Sequence, residues 1–242
     1  MNSSSTGAVS HRATSEQGHS ATARPRQRNA RGQGSKLTED IVAAALALID
    51  RTGSGESVTL RAVAREIGIA APSIYSHFVD RDAIVMAVVT RLFDELAATI
   101  RDGLSSAGDD PAQRLVAGCQ RYVQWGLQNP ARYWVLFPSR RAELARPDGY
   151  CTPVRVGPGG RPVLEFGAEA FAHLVDAIEA CVHAGVSASA DVVADGTAVW
   201  VALHGTVTLR TALPEFPWPD PVAAFVRQLV LPLAKVTERI AE

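Results

Sequence analysis

Cysteine is scarce in this chain of 242 residues. Cys119, Cys151 and Cys181 are odd in number, far apart and form no CxxC pair, so neither a disulfide framework nor a zinc site is indicated. A reducing compartment suits such a sequence. Long apolar runs are also missing: no segment approaches about 18 uninterrupted apolar residues, and the N-terminus has no apolar stretch of the signal-peptide kind. A soluble, cytoplasmic protein is the expectation. Charge of one sign is lacking, since the formal net charge is −1, and that balance by itself points to no nucleic-acid partner. Strand-like alternation is absent. So are GxSxG, the P-loop, HExxH and a GxGxxG between strand and helix, while the Gly157-Pro158-Gly159-Gly160 run has no Lys-Ser or Lys-Thr after it. No enzyme, cofactor or metal is expected from this inventory.

What is present is apolar and helical. Hydrophobic residues make up 47% of the chain, enough for one or two small domains with ordinary cores. Charge is unevenly spread: residues 1–36 carry Arg12, Arg24, Arg26, Arg28, Arg31 and Lys36 against Glu16 alone, about +5, which leaves about −6 for the rest. Residues 1–35 have almost no large apolar side chain and cannot repay the entropy of ordering, so they read as a disordered basic tail. Two readings of the tail stay open, an arm that touches DNA phosphates or an inert extension.

From Thr38 onward, Ile41, Ala44, Ala45, Leu48 and Ile49 recur at helical spacing, with Thr38 as the expected cap. Thr59 caps a short second helix bearing Leu60, Val63, Ala64 and Ile67, and Gly68 ends it. Pro72 opens a third over about residues 72–77, and Asp80 caps a fourth that extends to about residue 101. Further helices are expected near 111–129, 131–145, 165–184, 191–213 and 219–240, with a Pro- and Gly-rich loop over 146–162. The fold class is therefore all-α, with a helical unit over 36–83 and a second over 84–242.

The segment Thr59 to Phe78 meets three separate steric demands of a helix-turn-helix. Ala64 is small where the two helices cross, Gly68 makes the turn, and Ile74 returns to the shared core. With the third helix in a major groove, the side chains left to read bases are Ala71, Ser73, Ser76 and His77, with Tyr75 at the edge and Pro72 opening the helix. Thr59, Arg61 and Arg81 are placed to hold phosphates. His77 and Tyr75 also have a packing reading, and Arg81 a solvated one.

The stretch Thr59-Leu60-Arg61-Ala62-Val63-Ala64, then Gly68-Ile69, then Pro72-Ser73-Ile74-Tyr75-Ser76-His77-Phe78, then Arg81-Asp82-Ala83-Ile84 resembles the N-terminal domain of TetR-type repressors over about residues 37–90. Most such proteins carry Lys where Arg81 stands. The resemblance implies an all-helical homodimer that binds double-stranded operator DNA and whose C-terminal domain binds a small-molecule inducer. Further on, Trp200, His204 and Gly205 resemble a Trp…His-Gly signature of one C-terminal subtype. Physically, Trp200 and His204 share a helix face and Gly205 lets another backbone approach; packing and a ligand cavity are both open readings.

Helices 191–213 and 219–240 carry broad apolar surfaces, Val192, Val193, Val199, Leu203, Val207 and Leu213 on one, Val222, Phe225, Val226, Leu229, Leu233 and Val236 on the other. Two such pairs would build a four-helix dimer interface. A ligand pocket is expected among helices 111–129, 131–145 and 165–184, lined from Tyr122, Trp125, Trp134, Phe137, Phe166, Phe171 and His173, with Trp200 and His204 as further candidates. Such a lining suits a hydrophobic or aromatic molecule, although each of these residues also has a plain core reading.

Overall fold

The computed structural model describes residues 33–137, 154–156, 162–164 and 167–237. Eight α-helices account for most of them: α1 (Gln33–Thr52), α2 (Leu60–Glu66), α3 (Arg81–Ser106), α4 (Pro111–Gln128), α5 (Pro130–Leu136), α6 (Ala168–His183), α7 (Val192–Ala212) and α8 (Val222–Leu233). Polar caps fix four of the starts. Thr59 accepts from Ala62 N, Asp80 from Ala83 N, Asp110 from Ala112 N, and Asp191 from Ala194 N, each satisfying an amide that the helix itself leaves unpaired.

Several boundaries differ from the sequence expectation. α1 begins at Gln33, five residues before Thr38, because nothing in Gly34 to Leu37 is strong enough to break it; the Thr38 hydroxyl is hydrogen-bonded to His77 Nδ1 at 3.0 Å. α5 stops at Leu136 rather than 145. Phe137 leaves the helical region (φ −128°, ψ 70°), in line with the general steric bias against helical backbone in a residue that precedes proline in the sequence. α8 ends at Leu233, not 240: Pro232 sits in its last turn, Lys235 turns left-handed (φ 53°), and Val236 forms an antiparallel bridge with Ser187. Within the expected loop, β1 (Val154–Val156) pairs antiparallel with β2 (Pro162–Leu164), so a short hairpin stands where no strand was expected. Residues 1–32 of the expected tail and Phe166 lie outside the described residues, while Gln33 to Ser35, expected in the tail, already belong to α1.

α3, 26 residues and about 39 Å long, runs from the N-terminal helices into the C-terminal bundle, where it packs mainly on α4 and α6. One apolar core extends from Ile41 and Ile49 in α1, through Val63, Ile74 and Ile84, to Leu115, Ile178 and Leu203. α4 approaches α7 closely at Gly126. A Cβ there would lie 2.7 and 2.9 Å from the two methyls of Val207.

α7 is apolar all round, and by length and composition alone could cross a membrane. Here it packs against α4, α6 and α8. Of the surface expected to face a partner, Val199, Leu203, Val207 and Val226 are instead buried in this chain's own core, and so is Val236. The outward residues are Val193, Val201, Leu209 and Leu213. A helix apolar on every side carries no periodicity to tell the two faces apart.

Candidate functional site

The helix-turn-helix is built on four buried side chains: Val63, Ala64, Ile74 and Phe78. Gly68 adopts φ +70°, which lets the Ile69 amide reach back to Ala64 O at 2.9 Å and close α2. Residues Ala71–Ser76 then form a 3-10 turn rather than an α-helix, with Ser73 N bonded to Ala70 O and His77 N to Ile74 O, both at 2.8 Å. Six residues that must bury Ile74 and still expose their other faces fit this tighter winding.

The structure places the expected contact residues in three groups. Thr59, Arg61, Pro72, Ser73, Tyr75 and Ser76 are exposed, Tyr75 by 58%. Ala71 and His77 are half-buried, His77 tied to α1 through Thr38. Arg81 is engaged internally: Nε donates to Val58 O at 2.7 Å, Nη2 to Gly55 O at 2.9 Å, and Nη1 to Asp82 at 3.2 Å. It fastens the 55–58 turn onto the start of α3. Sequence reasoning passed over Val79, which is 78% exposed beside this surface. Its signal was an apolar residue between Phe78 and the capping Asp80 that belongs to no helical stripe.

A second feature lies in the C-terminal bundle, an apolar cavity of about 130 Å3 between α3, α4, α6 and α7. Of the expected lining, Tyr122, Phe137, Phe171, His173 and Trp200 border it. Three others do not. Trp125 is buried beside it with its indole N–H bonded to Glu95 at 3.0 Å, Trp134 is half-buried with its edge on Tyr133, and His204 stands behind Tyr133. Phe93, Leu96, Ile100 and Leu104 of α3 supply a wall that was not anticipated, because α3 reads in sequence as a connector.

Polar groups at the cavity form a chain. Tyr122 OH is 2.8 Å from Tyr133 OH, which is 2.7 Å from His204 Nδ1. Burial pushes Tyr122 up to about 12, raises Tyr133 further and lowers His204, so all three are held neutral. Burial likewise pushes the Cys119 thiol on the cavity wall up to about 12, away from reactive thiolate. His173 Nε2 has no hydrogen-bond partner and lies 3.6 Å from Glu169, whose carboxylate is 3.5 Å from Arg101. Among the described residues no cluster of His, Cys, Asp and Glu could hold a metal. Among the described residues nothing lies within 4 Å of a Cβ placed on Gly205, so none of the described elements makes the close approach expected there.

Comparison with known proteins agrees with this geometry. Residues 41–88 match the model of bacterial regulatory proteins of the tetR family, and residues 115–233 that of a tetracyclin repressor-like C-terminal domain. An uncharacterised HTH-type transcriptional regulator of Mycobacterium tuberculosis, Rv0681, is 34% identical over 96 residues, 39% of this chain and 42% of that protein. Another from that species, Rv1816, is 27% identical over 93 residues, 38% of this chain and 39% of that protein. The alignments thus span about two-fifths of these relatives. Among solved structures, a protein of unknown function from Rhodococcus sp. RHA1 superposes with a TM-score of 0.61 at 20% identity, covering 88% of this chain and 95% of that one. A tetR-family regulatory protein from Rhodococcus RHA1 gives 0.57 at 19%, covering 84% and 99%. At such identities the superpositions speak for the fold, while the two matched models together take in most of the chain. This chain belongs to the tetR family of bacterial regulatory proteins.

Proposed function

We propose that the protein is a dimeric, sequence-specific DNA-binding repressor that acts in the cytoplasm and leaves a palindromic operator when an apolar or aromatic small molecule fills the cavity. The observation that carries the DNA reading is the exposed group Ser73, Tyr75 and Ser76 held on a buried Ile74–Phe78 base, with Arg61 exposed beside it. Short hydroxyl side chains demand close approach to base edges, and Arg61 and Thr59 suit phosphates. Arg81 enters as a brace of this surface, through its bonds to Val58 O and Gly55 O.

Dimerisation is supported by α7. Val201 and Leu209 are exposed eight residues apart on one ridge of α7, and Gly205 lies midway between them with nothing within 4 Å of a Cβ placed there among the described residues. A partner's α7 laid along that ridge would find room at Gly205 and would cover the apolar side chains. Two reading heads about 34–36 Å apart, one helical turn of DNA, would then meet a palindrome. α3 links the parts, with Arg81 at one end and the cavity residues Phe93 to Leu104 at the other. A ligand that spreads the cavity would shift α3 and change the separation of the heads.

The test is a footprint on the intergenic DNA next to the protein's own gene, with a protected two-fold symmetric site expected. Equal protection of specific and random DNA at controlled salt would overturn the sequence-specific reading.

A further inference from the structure

The hydrogen-bond chain beside the cavity can run in either of two directions, and the two suit different ligands. The Tyr122 hydroxyl is 2.8 Å from Tyr133 OH, and Tyr133 OH meets His204 Nδ1 at 2.7 Å. Each hydroxyl owns one proton to donate. Two consistent arrangements exist. In the first, His204 is protonated on Nε2, Tyr133 donates to Nδ1 and Tyr122 donates to Tyr133, so the Tyr122 proton is used. In the second, His204 carries its proton on Nδ1 and donates to Tyr133, Tyr133 donates to Tyr122, and the Tyr122 proton has no acceptor among the described residues.

Tyr122 and Trp200 both border the cavity, whose lining includes no Lys, Arg, Asp or Glu. An unused O–H against apolar walls is costly, so the empty cavity favours the first arrangement. A carbonyl placed there favours the second, in which all three donors point the same way and strengthen one another. A ligand donor gains less, because a phenol oxygen is a poorer acceptor than its O–H is a donor. About 130 Å3 is a little less than the cavity of about 150 Å3 that holds benzene, so the space suits a molecule of one small ring.

Resting on the reading of this cavity as the ligand site, we propose that its ligand is an uncharged, largely apolar molecule bearing a hydrogen-bond acceptor, which Tyr122 receives by reversal of the Tyr122–Tyr133–His204 chain.

The test uses the full-length protein and two probes of the same shape and about the size of benzene, cyclopentanone and its hydrocarbon counterpart methylenecyclopentane, titrated by calorimetry. Cyclopentanone is expected to bind about tenfold tighter, and Tyr122→Phe to abolish the difference. Tyr133→Phe removes the group that competes for the Tyr122 proton, so cyclopentanone should bind several-fold tighter than to the native protein while methylenecyclopentane is unchanged. His204→Phe, which frees the chain to reverse, should shift affinity the same way and serves if Tyr133→Phe does not fold. A native protein that binds neither probe or binds both equally, a preference that survives Tyr122→Phe, or a cyclopentanone affinity that falls in both relay variants would overturn the proposal. Operator binding measured on the same preparations separates the two readings. Intact DNA binding without probe preference sinks the relay alone, and the full probe signature without DNA release sinks the inducer reading alone.

Discussion

Arg132 on α5 grips Asp50 on α1 with two parallel hydrogen bonds, Nε to Oδ1 at 2.8 Å and Nη2 to Oδ2 at 2.7 Å. Its third nitrogen donates to both oxygens of Glu95 on α3 at 3.1 Å, so one guanidinium ties the C-terminal bundle to the N-terminal helices and to the helix that joins them. Its neighbour Tyr133 is the middle of the buried chain at the cavity.

Arg132→Ala should therefore lower stability by roughly 1–2 kcal/mol in urea unfolding, more than a lone surface pair, because two carboxylates lose a forked partner. Arg132→Lys should recover less than half, since an ammonium cannot make the fork. Arg132 also holds Asp50 below the usual carboxylate range by hydrogen bonding. That contribution is fully present above the ordinary Asp value and disappears as pH falls through the lowered one. An Arg132→Ala midpoint equal to that of the native protein would contradict the clamp.

Arg81→Ala should cost roughly 1–2 kcal/mol by the same measurement, because the Gly55 and Val58 carbonyls lose a charged donor. DNA affinity should fall equally on specific and random sequences. An unchanged unfolding midpoint with lost DNA binding would instead make Arg81 a phosphate contact only.

Arg61→Ala should weaken binding to all sequences and reduce the salt slope by about 1. Ser73→Ala should change which base is preferred, by about 1 kcal/mol at one position in a competition assay. Ser76→Ala should do less, since that hydroxyl already donates to Ser73 O at 2.8 Å. Equal losses from Arg61→Ala and Ser73→Ala on specific and random DNA would contradict the division between phosphate and base contacts.

His204 is held below its ordinary value by burial. As pH falls through the unfolded value of about 6.5, the unfolded chain takes up a proton that the folded ring resists, so stability is lost on the acid side. His204→Phe should flatten the decline between pH 7 and 5 in a series of urea midpoints. Identical slopes for the two proteins would show that His204 does not report its burial.

Gly126→Ala should destabilise by about 1–3 kcal/mol, because the added methyl meets both Val207 methyls. Val207→Ala, destabilising alone, should restore part of the loss in the double variant. Additive losses in the double variant would place the strain elsewhere.

The helix-turn-helix was legible from sequence because its constraints are local. A cap at Thr59, a left-handed turn at Gly68 and the spacing of Ala64, Ile74 and Phe78 each act within about twenty residues, and each is met by one residue type. The helical class followed from periodicity and caps for the same reason. The short β1–β2 hairpin was hidden, since three-residue strands among prolines and glycines show no alternation.

Tertiary structure alone decided which faces turn inward. It buried Val199, Leu203 and Val207 of a uniformly apolar helix and left Val201 and Leu209 outside. It put His204 behind Tyr133 instead of in the cavity, drew Arg81 onto two backbone carbonyls, and brought Asp50 to Arg132 across 82 positions of sequence. Such pairings depend on how helices cross, and the amphipathic pattern of one helix fixes only that it has a buried side, not which helix covers it.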